Sequence, residues 1–136
     1  MSAVQRHYLE GEGMPKILIV EDDKTIALAL TVRLKAKGHE VFVAQDAFAG
    51  LSLASTKKPD MVLLDIGMPA GGGFGLAEKM QNLAATVGIP FIFLTASKDP
   101  QYRKRAEALG AAAYVEKPYD ADELLATIDR VLATPT

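Results

Sequence analysis

Ile17-Leu18-Ile19-Val20-Glu21-Asp22-Asp23 runs four consecutive apolar residues straight into three consecutive acids. Apolar side chains at every position, rather than at every second one, belong to a strand covered on both faces, as in a parallel sheet between helices. The pattern repeats along the chain in Val41-Phe42-Val43, Met61-Val62-Leu63-Leu64, Phe91-Ile92-Phe93-Leu94 and Ala113-Tyr114-Val115. Helix-length amphipathic stretches separate these runs. Asp23, Asp46, Asp99 and Asp120 stand where helix N-caps are needed, Pro100 takes a first-turn position, and Gly38 and Gly110 supply helix stops. Leu124, Leu125, Ile128, Val131 and Leu132 form one apolar stripe at helical spacing. The predicted architecture is α/β, a βα unit used five times. Right-handed crossovers make this a doubly wound parallel sheet with its ligand site at the carboxyl ends of the strands.

Composition agrees with one such domain. The chain has 136 residues, 49% hydrophobic and 24% charged, the balance of a globular protein with a single core. Residues 1–14 hold few large apolar side chains and read as a flexible tail, with Met14 a candidate natural start, so the domain is expected over 15–134. Without cysteine there is no disulfide framework, thiolate metal site or thiol nucleophile. No apolar stretch approaches the ~20 residues of a membrane span, and no signal peptide is recognisable. A cytoplasmic protein is expected, with no membrane partner. The net charge of -2 gives no basic field for nucleic acid, so direct nucleic-acid binding is not expected. Arg103-Lys104-Arg105 reads as a solvated helix face.

The first run ends in Glu21-Asp22-Asp23 and the third in Asp65, so this topology brings acids from neighbouring strands to one edge. Clustered carboxylates repel one another unless a cation neutralises them. Oxygen donors without Cys or a nearby His suit Mg²⁺ or Mn²⁺ rather than zinc or copper. Asp23 alone is explained as an N-cap. His7, in the tail, and His39, at the edge of the second strand, read as surface residues, and Met68 and Met80 as packing.

Ile17 to Asp23, Asp65-Ile66-Gly67-Met68-Pro69, Leu94-Thr95-Ala96 and Lys117-Pro118 together resemble the four signatures of response-regulator receiver domains of two-component signalling, the CheY-like family. The likeness covers about residues 15–133, and the separations from Asp22 to Asp65, Thr95 and Lys117 are similar to the family's. The resemblance implies a flavodoxin-like five-stranded sheet in the order 2-1-3-4-5. It implies that Asp65 accepts a phosphoryl group from a sensor histidine kinase or a histidine phosphotransfer protein. Glu21, Asp22, Asp65 and the backbone carbonyl of Gly67 would hold Mg²⁺, Lys117 would pair with Asp65 and then with phosphate, and a cis peptide would precede Pro118. Thr95 and Tyr114 would form the switch, with output at the face made by the fourth helix, fifth strand and fifth helix, roughly residues 99–133. A homodimer on phosphorylation is one expected output state. Such a domain promotes its own phosphorylation and dephosphorylation without being a conventional turnover enzyme.

Ala70-Gly71-Gly72-Gly73 departs from the family's usual continuation except at Gly73, and predicts a floppier loop. Gly67 leaves the position two after Asp65 without a side chain and, with Ser97, predicts easy access for water. That glycine also argues against a haloacid-dehalogenase-like phosphatase, which needs an acid there. Glu21-Asp22-Asp23 would repel the phosphate of a flavin carrier. A degenerate receiver, acting as a phosphorylation-independent interaction module, is the alternative; its usual marks, loss of the aspartate, lysine or metal acids, are absent.

Overall fold

The computed structural model describes residues 13–68 and 72–134. Residues 1–12, His7 among them, and Pro69, Ala70 and Gly71 lie outside the described residues, as do the expectations that fall on them. Five strands alternate with five helices: β1 (Lys16–Val20), α1 (Lys24–Ala36), β2 (Glu40–Ala44), α2 (Ala47–Lys57), β3 (Met61–Asp65), α3 (Gly72–Gln81), β4 (Phe91–Thr95), α4 (Pro100–Ala108), β5 (Ala113–Glu116) and α5 (Ala121–Ala133). All pairings are parallel, in the order β2-β1-β3-β4-β5.

The two-residue period of a strand divides its apolar side chains between two cores. Leu18, Val20, Val62, Leu64, Phe91 and Phe93 face α2, α3 and α4. Ile17, Ile19, Met61, Leu63, Ile92 and Leu94 face α1 and α5. This is why β1, β3 and β4 need apolar residues at consecutive positions. The edge strands are different: Val43 of β2 is 38% exposed and every residue of β5 is half-buried. An apolar run marks a strand without marking a central one, because the helices cover the middle of the sheet better than its margins.

Each expected aspartate N-cap forms. Asp23 accepts from the N–H groups of Thr25 and Ile26, Asp46 from Ala49, Asp99 from Gln101 and Asp120 from Asp122 and Glu123. Gly38, at φ +88°, turns the chain out of α1 into β2. This turn tucks His39 under α1, leaving it only 8% exposed, with its N–H donating to the carbonyl of Leu34 at 3.1 Å. His39 is therefore a buried residue, contrary to the surface position expected of it. Its Nε2 lies 3.9 Å from Asp129, and its Nδ1 is buried without a hydrogen-bond partner. Met68 and Met80 pack into the core as expected. Among the described residues no helix is long and apolar enough to cross a membrane.

Candidate functional site

Strand register assembles the site. Val20 of β1 pairs with Leu64 of β3, so Glu21 and Asp65, each one residue further on, emerge side by side. Asp65 pairs with Leu94, bringing Thr95 to the same rim, and Thr95 pairs with Glu116, immediately before Lys117. Residues far apart in sequence therefore meet because each strand ends on the same edge, where the connection to the next helix begins.

Glu21, Asp22 and Asp65 each present a carboxylate oxygen, and the three oxygens lie within 4.8 Å of one another. Glu21 is 2% exposed and Asp65 7%, whereas Asp22 is open to solvent. Lys117 reaches between the buried pair, its Nζ donating to Glu21 Oε1 at 3.2 Å and lying 3.5 Å from Asp65 Oδ1. The backbone N–H of Asp23 donates to Glu21 Oε2 at 3.2 Å, and that of Gly67 to Asp65 Oδ1 at 3.1 Å. The Lys117-Pro118 peptide is cis.

The electrostatics are those of an overloaded acidic cleft. Burial lifts the Glu21 carboxyl to about 7; the Asp23 N–H opposes this, the neighbouring Asp65 adds to it, and Lys117 only partly offsets it. Burial alone would lower the Lys117 ammonium, but Asp65 and Glu21 attract it strongly enough to hold it above its ordinary range. Three acids with one ammonium leave excess negative charge, and their oxygen-only donor set fits a hard divalent cation.

Thr95, 2% exposed, has its hydroxyl engaged by the N–H of Ser97 at 3.0 Å. Tyr114 is half-buried in β5, with the Arg103 guanidinium 4.7 Å from its ring centroid; its hydroxyl is shielded from solvent and has no hydrogen-bond partner. A buried, unpaired hydroxyl is costly, so this ring position is one from which a move can be gained. Gly67 is exposed, and a Cβ there would stand 3.7 Å from Asp65 Oδ1, so its absence leaves the approach to the carboxylate wide.

Two features of the rim were not legible beforehand. Lys98 spans it, donating to Glu116 Oε2 at 3.0 Å and to the carbonyl of Lys117 at 3.2 Å, and so ties the β4–α4 connection to the residue that reaches Asp65. Its position three residues after Thr95 was the only available signal. Gly72 and Gly73 are buried in the first turn of α3 rather than in a loose loop. Gly72 has φ +54°, and a Cβ there would meet the Ile66 carbonyl oxygen at 2.3 Å; at Gly73 it would meet that of Asp65 at 2.8 Å. These glycines let α3 start directly against the backbone that carries Asp65. The Arg103-Lys104-Arg105 run is solvated but not idle. Arg103 covers Tyr114, and Arg105 stacks on Phe74 at 4.5 Å while bonding Glu78 at 2.7 Å.

A family model described as the response regulator receiver domain matches residues 17–129. The chain is a response-regulator receiver. Protein PilH of Pseudomonas aeruginosa is 39% identical over 120 residues, 88% of this chain and 99% of that protein. The chain spans about half the length of other relatives, such as the DNA-binding dual master transcriptional regulator RpaA of Synechocystis, 34% identical over 119 residues that make up 88% of this chain and 49% of that one. The solved non-phosphorylated HemR receiver domain of Leptospira biflexa superposes with a TM-score of 0.82 at 35% identity, covering 90% of this receiver and 97% of that chain. The implied sheet order and CheY-like flavodoxin fold hold for this receiver.

Proposed function

We propose that this receiver accepts one phosphoryl group on Asp65 from a sensor histidine kinase or histidine phosphotransfer protein and relays the change to a partner. The observation that carries the reading is the convergence of Glu21, Asp22 and Asp65 within 4.8 Å, with Lys117 inserted between the buried pair. Asp65 is the nucleophile. A carboxylate oxygen forms the new bond to phosphorus, the bond from phosphorus to the donor nitrogen breaks, and the imidazole leaves with that electron pair. Held by Glu21, Asp22, Asp65 and the Gly67 carbonyl, Mg²⁺ or Mn²⁺ would supply positive charge against the oxygens of the transferring group. Lys117 loses part of its partner when Asp65 is esterified and turns to a phosphoryl oxygen as a compact cation.

The switch belongs to Thr95 and Tyr114. A phosphoryl oxygen offers the Thr95 hydroxyl an acceptor, and inward movement of Thr95 makes room for the Tyr114 ring on the neighbouring strand. The surface presented by α4, β5 and α5, with a homodimer among its outputs, then distinguishes the two states. Residues 15–134 form the working receiver, residues 1–14 a tail, and the setting is the cytoplasm.

Intact mass spectrometry after incubation with a small phosphoryl donor and Mg²⁺ tests this reading. Wild type gains one phosphoryl group and Asp65→Ala gains none. Modification surviving in Asp65→Ala would move the acceptor elsewhere, and no modification of wild type would favour the phosphorylation-independent module.

A further inference from the structure

Lys117 is the cation of the cleft, and it stands one residue beyond the last strand. Its N–H still donates to the Thr95 carbonyl, at 2.7 Å, but its own carbonyl lies past the paired register, which closes at Thr95 and Glu116. That carbonyl is met from the neighbouring connection. Lys98 Nζ donates to it at 3.2 Å and to Glu116 Oε2 at 3.0 Å. The two peptide groups flanking the Lys117 Cα are thus both bonded to one short stretch, residues 95–98.

That stretch is built to aim a side chain. The Ser97 N–H donates to the Thr95 hydroxyl at 3.0 Å, the Asp99 N–H donates to the Ser97 hydroxyl at 3.1 Å, and Asp99 accepts from the Gln101 N–H at 2.9 Å. Successive turns of side chain onto main chain fix the course from β4 into α4. Lys98, in the middle of them, reaches back over the end of β5. Glu116 keeps it there: one carboxylate oxygen accepts from Lys98 and the other lies 3.7 Å from Arg103. The Lys98 hydrogen bond, with Arg103 adding to it, holds the Glu116 carboxyl below its ordinary range. An ion pair as exposed as this contributes little to stability. Its effect is geometric. On the flexible four-carbon stem of Lys117 a small rotation of the main chain becomes a large displacement of the ammonium, and a misplacement of about 1 Å is enough to slow a reaction.

We infer that Lys98 is a positioning residue for phosphoryl acceptance: it holds the main chain of Lys117 so that the Lys117 ammonium stays between Glu21 and Asp65. The inference rests on the reading of Asp65 as the acceptor. With a small phosphoryl donor and saturating Mg²⁺, Lys98→Met of the full chain should phosphorylate about three- to tenfold more slowly, the loss expected for one partly exposed, charge-assisted hydrogen bond. Its Mg²⁺ affinity should not fall, since removing a cation cannot weaken a cation site. Lys98→Arg, which still donates to both acceptors, should keep most of the rate. Glu116→Ala should also be slow. Lys98→Met and Glu116→Ala change the local charge in opposite directions, so attraction of an anionic donor would move their rates oppositely, whereas lost positioning slows both. NMR relaxation of the Lys117 ε-methylene, without donor or metal, should show a held side chain in wild type and Lys98→Arg and a mobile one in Lys98→Met. Circular dichroism checks that each variant folds.

A Lys98→Met chain phosphorylated at the wild-type rate overturns the inference. So do rates of Lys98→Met and Glu116→Ala that move in opposite directions, or a Lys117 side chain equally held in Lys98→Met. A wild type that takes no phosphoryl group would sink the reading of Asp65 and this inference with it, a result told apart from the others because it needs no variant.

Discussion

Met61 to Leu64 and Asp65 belong to one strand and are almost equally buried, the first four at 0% and the last at 7% exposure, yet burial acts on them in opposite directions. For the apolar four, leaving water is the favourable term that holds β3 between two helical layers, about 25 cal/mol per Å². For the carboxylate it is a cost, opposed by the Gly67 N–H and the Lys117 ammonium, while Glu21 and Asp22 add repulsion. The strand stabilises the protein along its length and spends some of that stability at its tip. What distinguishes the tip is therefore the sign of burial, not its extent.

The largest expected break in this contrast comes from the apolar side. Leu63→Ala should lower unfolding stability by about 2–5 kcal/mol in urea titration, while phosphoryl incorporation at Asp65 continues in the folded fraction. Loss of acceptor chemistry in the folded protein would mean that the strand and its tip are not separable. Next in size, Mg²⁺ should stabilise the protein by about 2.7 kcal/mol at a hundredfold excess over Kd, read as a rise in melting temperature. Asp22→Ala should remove most of that rise. An unchanged response in Asp22→Ala would place the cation away from the carboxylate cluster.

A smaller effect separates the burial cost from metal binding. Because the folded Glu21 carboxyl titrates near 7 rather than 4.5, its protonated form is the favoured one in the metal-free protein. Its contribution to stability is fully present below pH 4.5 and is lost as pH rises through about 7. In a chelator, wild type and Glu21→Gln should melt alike at the acid end and diverge with rising pH, the glutamine variant becoming the more stable. A constant difference across that range would show that Glu21 is not held at a net cost.

The smallest effect lies at the other end of the molecule. Burial lowers the His39 imidazole below its ordinary 6.5, with Asp129 opposing the shift and Lys37 assisting it. A histidine kept neutral by folding contributes stability that is present above 6.5 and lost as pH falls below it. His39→Gln should flatten that acid limb by about 1 kcal/mol or less, as judged from denaturation midpoints. An unaltered limb would assign it to other groups.

Much of this receiver is written locally. Apolar runs at consecutive positions, aspartates ahead of each helix and Gly38 or Gly110 behind two of them are signals that neighbouring residues generate by themselves, and they located the strands and helices. The acids at the ends of β1 and β3 were legible as a site because parallel topology leaves them no other place to go. Lys98, the buried His39 and the packed Gly72 were not. Each depends on a three-dimensional contact that no local pattern announces: Lys98 with Glu116, His39 with Asp129 of α5, and the start of α3 with the backbone of Asp65 and Ile66.

The sequence by itself determined which segments become strands and helices, and which residue types stand at the strand ends, because hydrophobic period, capping and backbone freedom act over a few residues. Only the tertiary structure decided which strands are central, that Lys117 lies between Glu21 and Asp65, and that His39 is buried. Those outcomes follow from strand register and helix packing, where distances of a few ångströms between remote segments set the charge balance of the site.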